Sequence, residues 1–191
     1  MIITDRTPEK GTEMELKSID KASADKRALE SIHEEAIPEA ERVSLDEMMD
    51  TGAEVIGIYE DGEPAGYLMI RHYKKIVYLA FLAVRRDLRS GGIGSEALRM
   101  LISAYPDRQI VVEYEAPEKS SPAASIRARR KAFYLRNGFY DTGWNTCYDG
   151  TEFEIGCSAQ DFDVQEFAEF ADYLATFITD HIPRPCRRNV T

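Results

Sequence analysis

The residues with the clearest capacity for chemistry are a glycine cluster, Arg89-Ser90-Gly91-Gly92-Ile93-Gly94. Glycines permit positive φ and let backbone approach a ligand closely. A helix that begins there presents unpaired N–H groups and the positive end of its dipole, so a pyrophosphate suits such a corner. The cluster is not the dinucleotide-binding fingerprint, because Ala97 holds the place of the third glycine, and no Gly-Lys-Ser/Thr follows to make a P-loop. On its own it fits a plain tight turn equally well.

Glu113 is the second candidate. Alternation along Gln109–Glu115 puts Val111, Glu113 and Glu115 on one face, with Ile110, Val112 and Tyr114 on the other. A carboxylate on a central strand is costly to bury unless something pairs or uses it. A general base and a paired structural glutamate both meet that condition. His33, His72 and His181 have no metal-ligand spacing, so they read as ordinary core or surface histidines and no metal is expected.

The elements that must position these residues follow from periodicity. Residues 1–12 read as a loose lead-in, and Met14, Leu16 and Ile19 suggest a first strand. The spacing of Ala24, Ala28, Leu29, Ile32 and Ala36 predicts a helix over 21–36, ended by Pro38. Ser44 and Glu47 form a capping-box pattern for a short helix to about Asp50. Strands are expected over 54–59, 65–73 and 76–84, the first two joined by the Asp61-Gly62 turn. The run 76–84 has no charge in nine residues, which predicts a central strand buried on both faces. An amphipathic helix follows the glycine cluster to Tyr105, then a strand at 109–115, a loop at 116–125 and a helix over 126–137 stopped by Gly138. A last hairpin, 139–144 with 151–157 around Asp149-Gly150, precedes a terminal helix carrying Val164, Phe167, Ala168, Ala171, Leu174 and Ile178. The order β-α-α-β-β-β-α-β-α-β-β-α implies an α+β fold with a mixed sheet, antiparallel strands first and a crossover in the middle. The expected organisation is one domain over 13–160, a C-terminal helix over 161–182 packed on it, and a tail over 183–191.

Composition narrows the partners. With 34 acidic and 24 basic residues among 191, the formal net charge is −10. That argues against a nucleic-acid backbone or an anionic membrane and favours cationic small molecules or basic peptides. Three cysteines without a C-x-x-C pair exclude a disulfide scaffold and a zinc ribbon. No signal-peptide core and no long apolar run is present, so a cytoplasmic protein is expected.

Two segments resemble a known family. Leu82-Ala83-Val84-Arg85-Arg86-Asp87-Leu88-Arg89-Ser90-Gly91-Gly92-Ile93-Gly94 is similar to motif A of the GNAT acyltransferase superfamily, with Arg89, Gly92 and Gly94 in its Arg/Gln-x-x-Gly-x-Gly/Ala. Ala132-Phe133-Tyr134-Leu135-Arg136-Asn137-Gly138-Phe139 looks like the superfamily's F-Y-x-x-x-G-F helix end. Between them lies Val112-Glu113-Tyr114, similar to the family's Leu-Glu-Val, and the resemblance spans about 14–157. It implies a mostly antiparallel sheet, splayed between its two central strands and flanked by helices. It also implies acetyl-CoA or another acyl-CoA as donor. Backbone of Leu82, Ala83 and Val84 would bind the pantetheine arm, and Arg89, Ser90, Gly91, Gly92, Ile93, Gly94 and Ser95 the pyrophosphate.

The function implied is N-acetyl transfer to an amine acceptor, small molecule or peptide, by direct attack in a ternary complex. A monomer or a homodimer would serve. A backbone N–H near Leu82 would stabilise the oxyanion, Tyr134 would be the acid that protonates the leaving thiolate, and Glu113 the base, with Glu115 its substitute. Arg127, Arg129, Arg130 and Lys131 would meet the 3′-phosphate of CoA or form a solvated helix face. Two departures stand out: Ala80-Phe81 occupy the place where many members carry a glutamate, and Pro117 stands where many have an asparagine. The alternative function is a catalytically silent acyl-CoA-binding sensor or interaction module.

Overall fold

The structure, a computed structural model, describes residues 2–6, 13–37, 39, 42–116, 124–148 and 151–188. It is an α+β fold with an open, mostly antiparallel sheet and five α-helices among the described residues. Contacts divide it into two compact units, residues 1–71 with 79–106 and residues 72–78 with 107–191.

The first unit holds β1 (Ile2–Arg6), β2 (Glu13–Ile19), α1 (Lys26–Ala36), α2 (Leu45–Asp50), β3 (Glu54–Glu60), most of β4 (Glu63–Tyr73), the later part of β5 (Ile76–Val84), and α3 (Ile93–Ala104). Its strand order is β1-β2-β3-β4-β5. Ser44 caps α2 in the expected way: its hydroxyl accepts from the Glu47 N–H at 3.2 Å, and the Ser44 N–H donates to the Glu47 carboxylate at 3.0 Å. Asp61 and Gly62 both have positive φ, 51° and 83°, the geometry a two-residue hairpin needs. At Gly66 on β4 a Cβ would stand 2.3 Å from the Ala83 carbonyl oxygen, so only glycine lets β4 run this close to β5. The core joins Leu29 and Ile32 of α1, Leu45 and Met48 of α2, and Val55, Tyr67, Met69 and Ala83 of the sheet.

The second unit contains β6 (Gln109–Glu115), α4 (Ala124–Arg136), β7 (Tyr140–Tyr148), β8 (Thr151–Cys157), α5 (Val164–Leu174) and β9 (Cys186–Arg187), in the order β5-β6-β8-β7-β9. Phe167, Phe170 and Leu174 of α5 bury against Ile76, Val111, Ile155 and Cys157. On the other face of β6, Tyr134 of α4 stacks on Tyr114, ring centroids 5.8 Å apart. Because Val111 and Tyr114 project to opposite sides of one strand, α5 and α4 cover opposite faces of β6.

Several expectations need correction. Ile2–Arg6, read as part of a loose lead-in, is a strand paired antiparallel with Glu13–Lys17 of β2; its partner lies in the sheet, outside any local pattern. Helix α1 starts at Lys26 because Asp20 closes a turn first: its carbonyl and carboxylate accept from the Ser23 and Ala22 N–H groups. Strand β5 is not buried on both faces, for Tyr78, Ala80, Phe81, Leu82 and Val84 are only half-buried. Strand β7 runs on to Tyr148, past an irregularity between Asp141 and Asn145 where Gly143 takes a φ of 73°. Strand β9 lies in the stretch read as tail. The Asp149-Gly150 turn, Pro38 and most of the loop at 116–125 lie outside the described residues. No helix among the described residues is long and apolar enough to cross a membrane, and none of them form a group of three or more potential metal ligands.

Candidate functional site

The glycine corner follows β5 in the first unit. The Arg85 N–H donates to Ala65 O at 2.8 Å, and Arg89 Nε donates back to Val84 O at 3.0 Å, so the chain is braced on both sides of a 3-10 turn at Arg86–Leu88. Ser90 and Gly92 then take positive φ, 69° and 95°. Gly92 is the N-cap of α3 and supplies no side-chain cap, while a Cβ built on it would meet nothing within 4 Å. The corner therefore places the backbone N–H groups of Ile93, Gly94 and Ser95 at the positive end of a 12-residue helix. Buried Ile93, Ala97 and Leu98 hold that helix end in place. Leu82 and Val84, just before the corner, are half-buried while Ala83 is 5% exposed, so the face of this strand that carries Leu82 and Val84 is partly exposed.

In the second unit Glu113 sits in a cage of hydroxyls. Tyr78 of β5 donates to Oε2, Thr146 of β7 donates to Oε1, and the Tyr148 hydroxyl lies 3.0 and 2.9 Å from the two oxygens. Burial raises the carboxyl pKa above its ordinary value, and bonds from Thr146, Tyr78 and Tyr148 offset part of that shift. Glu113 can therefore hold a proton at a higher pH than a surface glutamate, which is what a general base for an amine requires. Glu115, the substitute base, is paired with Arg127 at 2.7 Å.

Tyr134 is 8% exposed, stacked on Tyr114 and set edge-on to Phe133 and Phe139. Burial pushes its phenol up to about 12, so it stays protonated and able to donate at neutral pH. Glu113 and Tyr134 lie on opposite faces of β6, since Tyr114, next to Glu113, is the residue Tyr134 stacks on. The basic cluster of α4 is divided. Arg127 is engaged by Glu115, and Lys131 bonds Asp141 at 2.9 Å and Glu154 at 2.7 Å, while Arg129 and Arg130 are exposed.

Sequence reasoning missed Tyr78, Thr146 and Tyr148. Thr146 and Tyr148 share a face of β7 by alternation, a signal that could have been seen had the strand not been ended at Trp144. Their meeting with Glu113 depends on the β6-β8-β7 order and on the registers Glu113↔Ile155 and Thr146↔Phe153. His33 is buried between the Tyr67 hydroxyl (2.6 Å) and the Val43 carbonyl (2.9 Å), and His181 packs edge-on against Tyr148.

The family model for GNAT-family acetyltransferases matches residues 21–139, more than half of the chain. The chain belongs to the GNAT acetyltransferase family. No curated protein matches it. Among solved GNAT-fold structures, it is similar to one from Bacteroides thetaiotaomicron described as a GNAT-family acetyltransferase, at 21% identity and a TM-score of 0.68, covering 86% of this chain and 97% of that one. It is also similar to the ribosomal-protein-S18-alanine N-acetyltransferase of Escherichia coli, at 19% identity and a TM-score of 0.56 over 78% and 96% of the two chains. An aminoglycoside 6′-N-acetyltransferase complexed with coenzyme A shares 16% identity and a TM-score of 0.60 over 74% and 94%. At these identities the GNAT fold is common to all of them, and the last two are named for different acceptors.

Proposed function

We propose that this chain is an acyl-CoA-dependent N-acetyltransferase that moves an acetyl or other short acyl group to an amine by direct attack. The observation that carries the reading is the glycine corner: an N-terminus on α3 without a side-chain cap, a left-handed Gly92 with free space where a side chain would stand, and an apolar strand with one partly exposed face leading into it. Acyl-CoA, when bound, supplies an activated thioester carbonyl. The chain's own part is to hold the pantetheine arm on the backbone of Leu82, Ala83 and Val84 and the pyrophosphate on Arg89, Ser90, Gly91, Gly92, Ile93, Gly94 and Ser95. A backbone N–H near Leu82 stabilises the oxyanion, an effect of about 3–4 kcal/mol per donor.

Glu113, in its carboxylate form, takes the proton of the acceptor ammonium, and its raised pKa makes that carboxylate a stronger base than a surface glutamate. Tyr134 donates to the leaving thiolate, its phenol being neutral at pH 7. A small-molecule or peptide amine is the acceptor class, in keeping with the formal net charge of −10.

The test is thiol release from acetyl-CoA across a panel of peptide N-termini, aminoglycosides and polyamines. Acceptor-dependent release, with Tyr134→Phe lowering turnover by about 10- to 100-fold and cofactor affinity by less than about 2-fold, supports the reading. Tight CoA binding with no release from any amine favours a silent acyl-CoA-binding module, a reading for which the fully bonded Glu113 carboxylate already speaks.

A further inference from the structure

An ionised carboxylate offers about four acceptor positions on its two oxygens. Around Glu113 all are taken: Tyr78 on Oε2, Thr146 on Oε1, and Tyr148 on both, at 3.0 and 2.9 Å. A base occupied in this way cannot receive an ammonium proton until one donor leaves.

The three donors are not held equally. Thr146 is fully buried on β7. The Tyr78 ring is packed between Phe167 and Phe170, with centroids at 6.2 and 5.2 Å. Tyr148 is half-buried at the end of β7, its ring touched edge-on by Phe153 (5.2 Å) and His181 (5.5 Å), and its one proton is shared between two oxygens. A bifurcated bond is weaker in each arm than a linear one, so Tyr148 is the donor that yields most easily.

We propose that the Tyr148 hydroxyl is a place-holder for the acceptor: an incoming primary ammonium displaces it and takes over its bond to Glu113. This rests on the reading of Glu113 as the base. Tyr78 and Thr146 are then the fixed donors that keep the carboxylate aimed, and Tyr148 is a positioning residue that keeps it satisfied while no amine is present. The groups facing Glu113 are Tyr78 from β5, Thr146 and Tyr148 from β7, Ile155 from β8, and His181 from the chain after α5, whose charge, when protonated, favours the carboxylate form.

The experiment uses n-butylammonium as a minimal amine, titrated into protein carrying 13C at the glutamate side-chain carboxyls, with Glu113 assigned by its absence in Glu113→Gln. In Tyr148→Phe the amine has no hydroxyl to displace, so its affinity at Glu113 should rise about 3- to 10-fold. The carboxyl titration should also move to higher pH, one stabilising donor having been lost. Thr146→Val should move the titration the same way but leave amine affinity unchanged or weaker. Equal or weaker amine binding in Tyr148→Phe overturns the place-holder role. Failure of butylammonium to shift the Glu113 signal in every variant overturns it together with the base assignment, while acetyl-CoA binding by the same samples would show the cofactor reading intact.

Discussion

The two regions assigned to this reaction solve opposite problems. The corner after β5, proposed to bind with backbone alone, is built by leaving things out: no side-chain cap on α3, no side chain at Gly92, and a strand before it on which Leu82 and Val84 are only half-buried. The Glu113 cage is the reverse, a half-buried carboxylate on which three hydroxyls from two other strands converge. Anion binding needs N–H groups and room, which a short run of glycine encodes locally. Holding a carboxylate at a raised pKa needs burial together with enough donors, and those come from positions far apart in the chain.

The contrast breaks most sharply at Gly92. Glu in its place puts a side chain with φ of 95° and a negative charge into the anion corner, and should weaken acetyl-CoA binding by about 100-fold or more in calorimetry. Retained affinity would mean that the corner binds no diphosphate. Glu113→Gln should lower kcat by about 10²- to 10⁴-fold, the usual contribution of a positioned base. The same substitution should raise Tm at pH 8. With its pKa raised by burial, Glu113 favours folding most below the carboxyl's unfolded pKa, and that advantage is lost as pH climbs through the folded value. A neutral amide removes the loss, so a variant both less active and no more stable at pH 8 would show that the cage does not strain the carboxylate.

The smallest effect belongs to His33. Burial lowers its pKa, the bond to Val43 opposing, so folding favours its neutral form. Its contribution to stability is complete above its unfolded value of 6.5 and declines as pH falls below that toward the folded pKa. Tm between pH 7.5 and 5 should fall more in wild type than in His33→Gln, and parallel curves would assign the acid loss to other groups.

This difference also explains what could be read in advance. The Ser44–Glu47 cap, the Asp61-Gly62 turn, the strand at Gln109–Glu115 and the glycine corner are all set by neighbours within a few residues, and each appears as expected. The strand at Ile2–Arg6 owes its place to β2, so its own pattern says little. The exposure of Phe81 and Leu82 was hidden for a related reason: an apolar run reports what a strand avoids, not whether the fold covers it. Glu113 could be singled out as an expensive residue on a strand, but Tyr78, Thr146 and Tyr148 could not, since β8 lies between β6 and β7 and sets the register that brings them together.

The central claim is that the corner after β5 grips the diphosphate of an acyl-CoA. Backbone amide shifts recorded by NMR during an acetyl-CoA titration test it directly. The largest changes should fall on Leu82–Val84 and on Arg89–Ser95 of the α3 N-terminus, saturating at one equivalent. Amides there that stay in place while others move, or that do not respond at all, would contradict it.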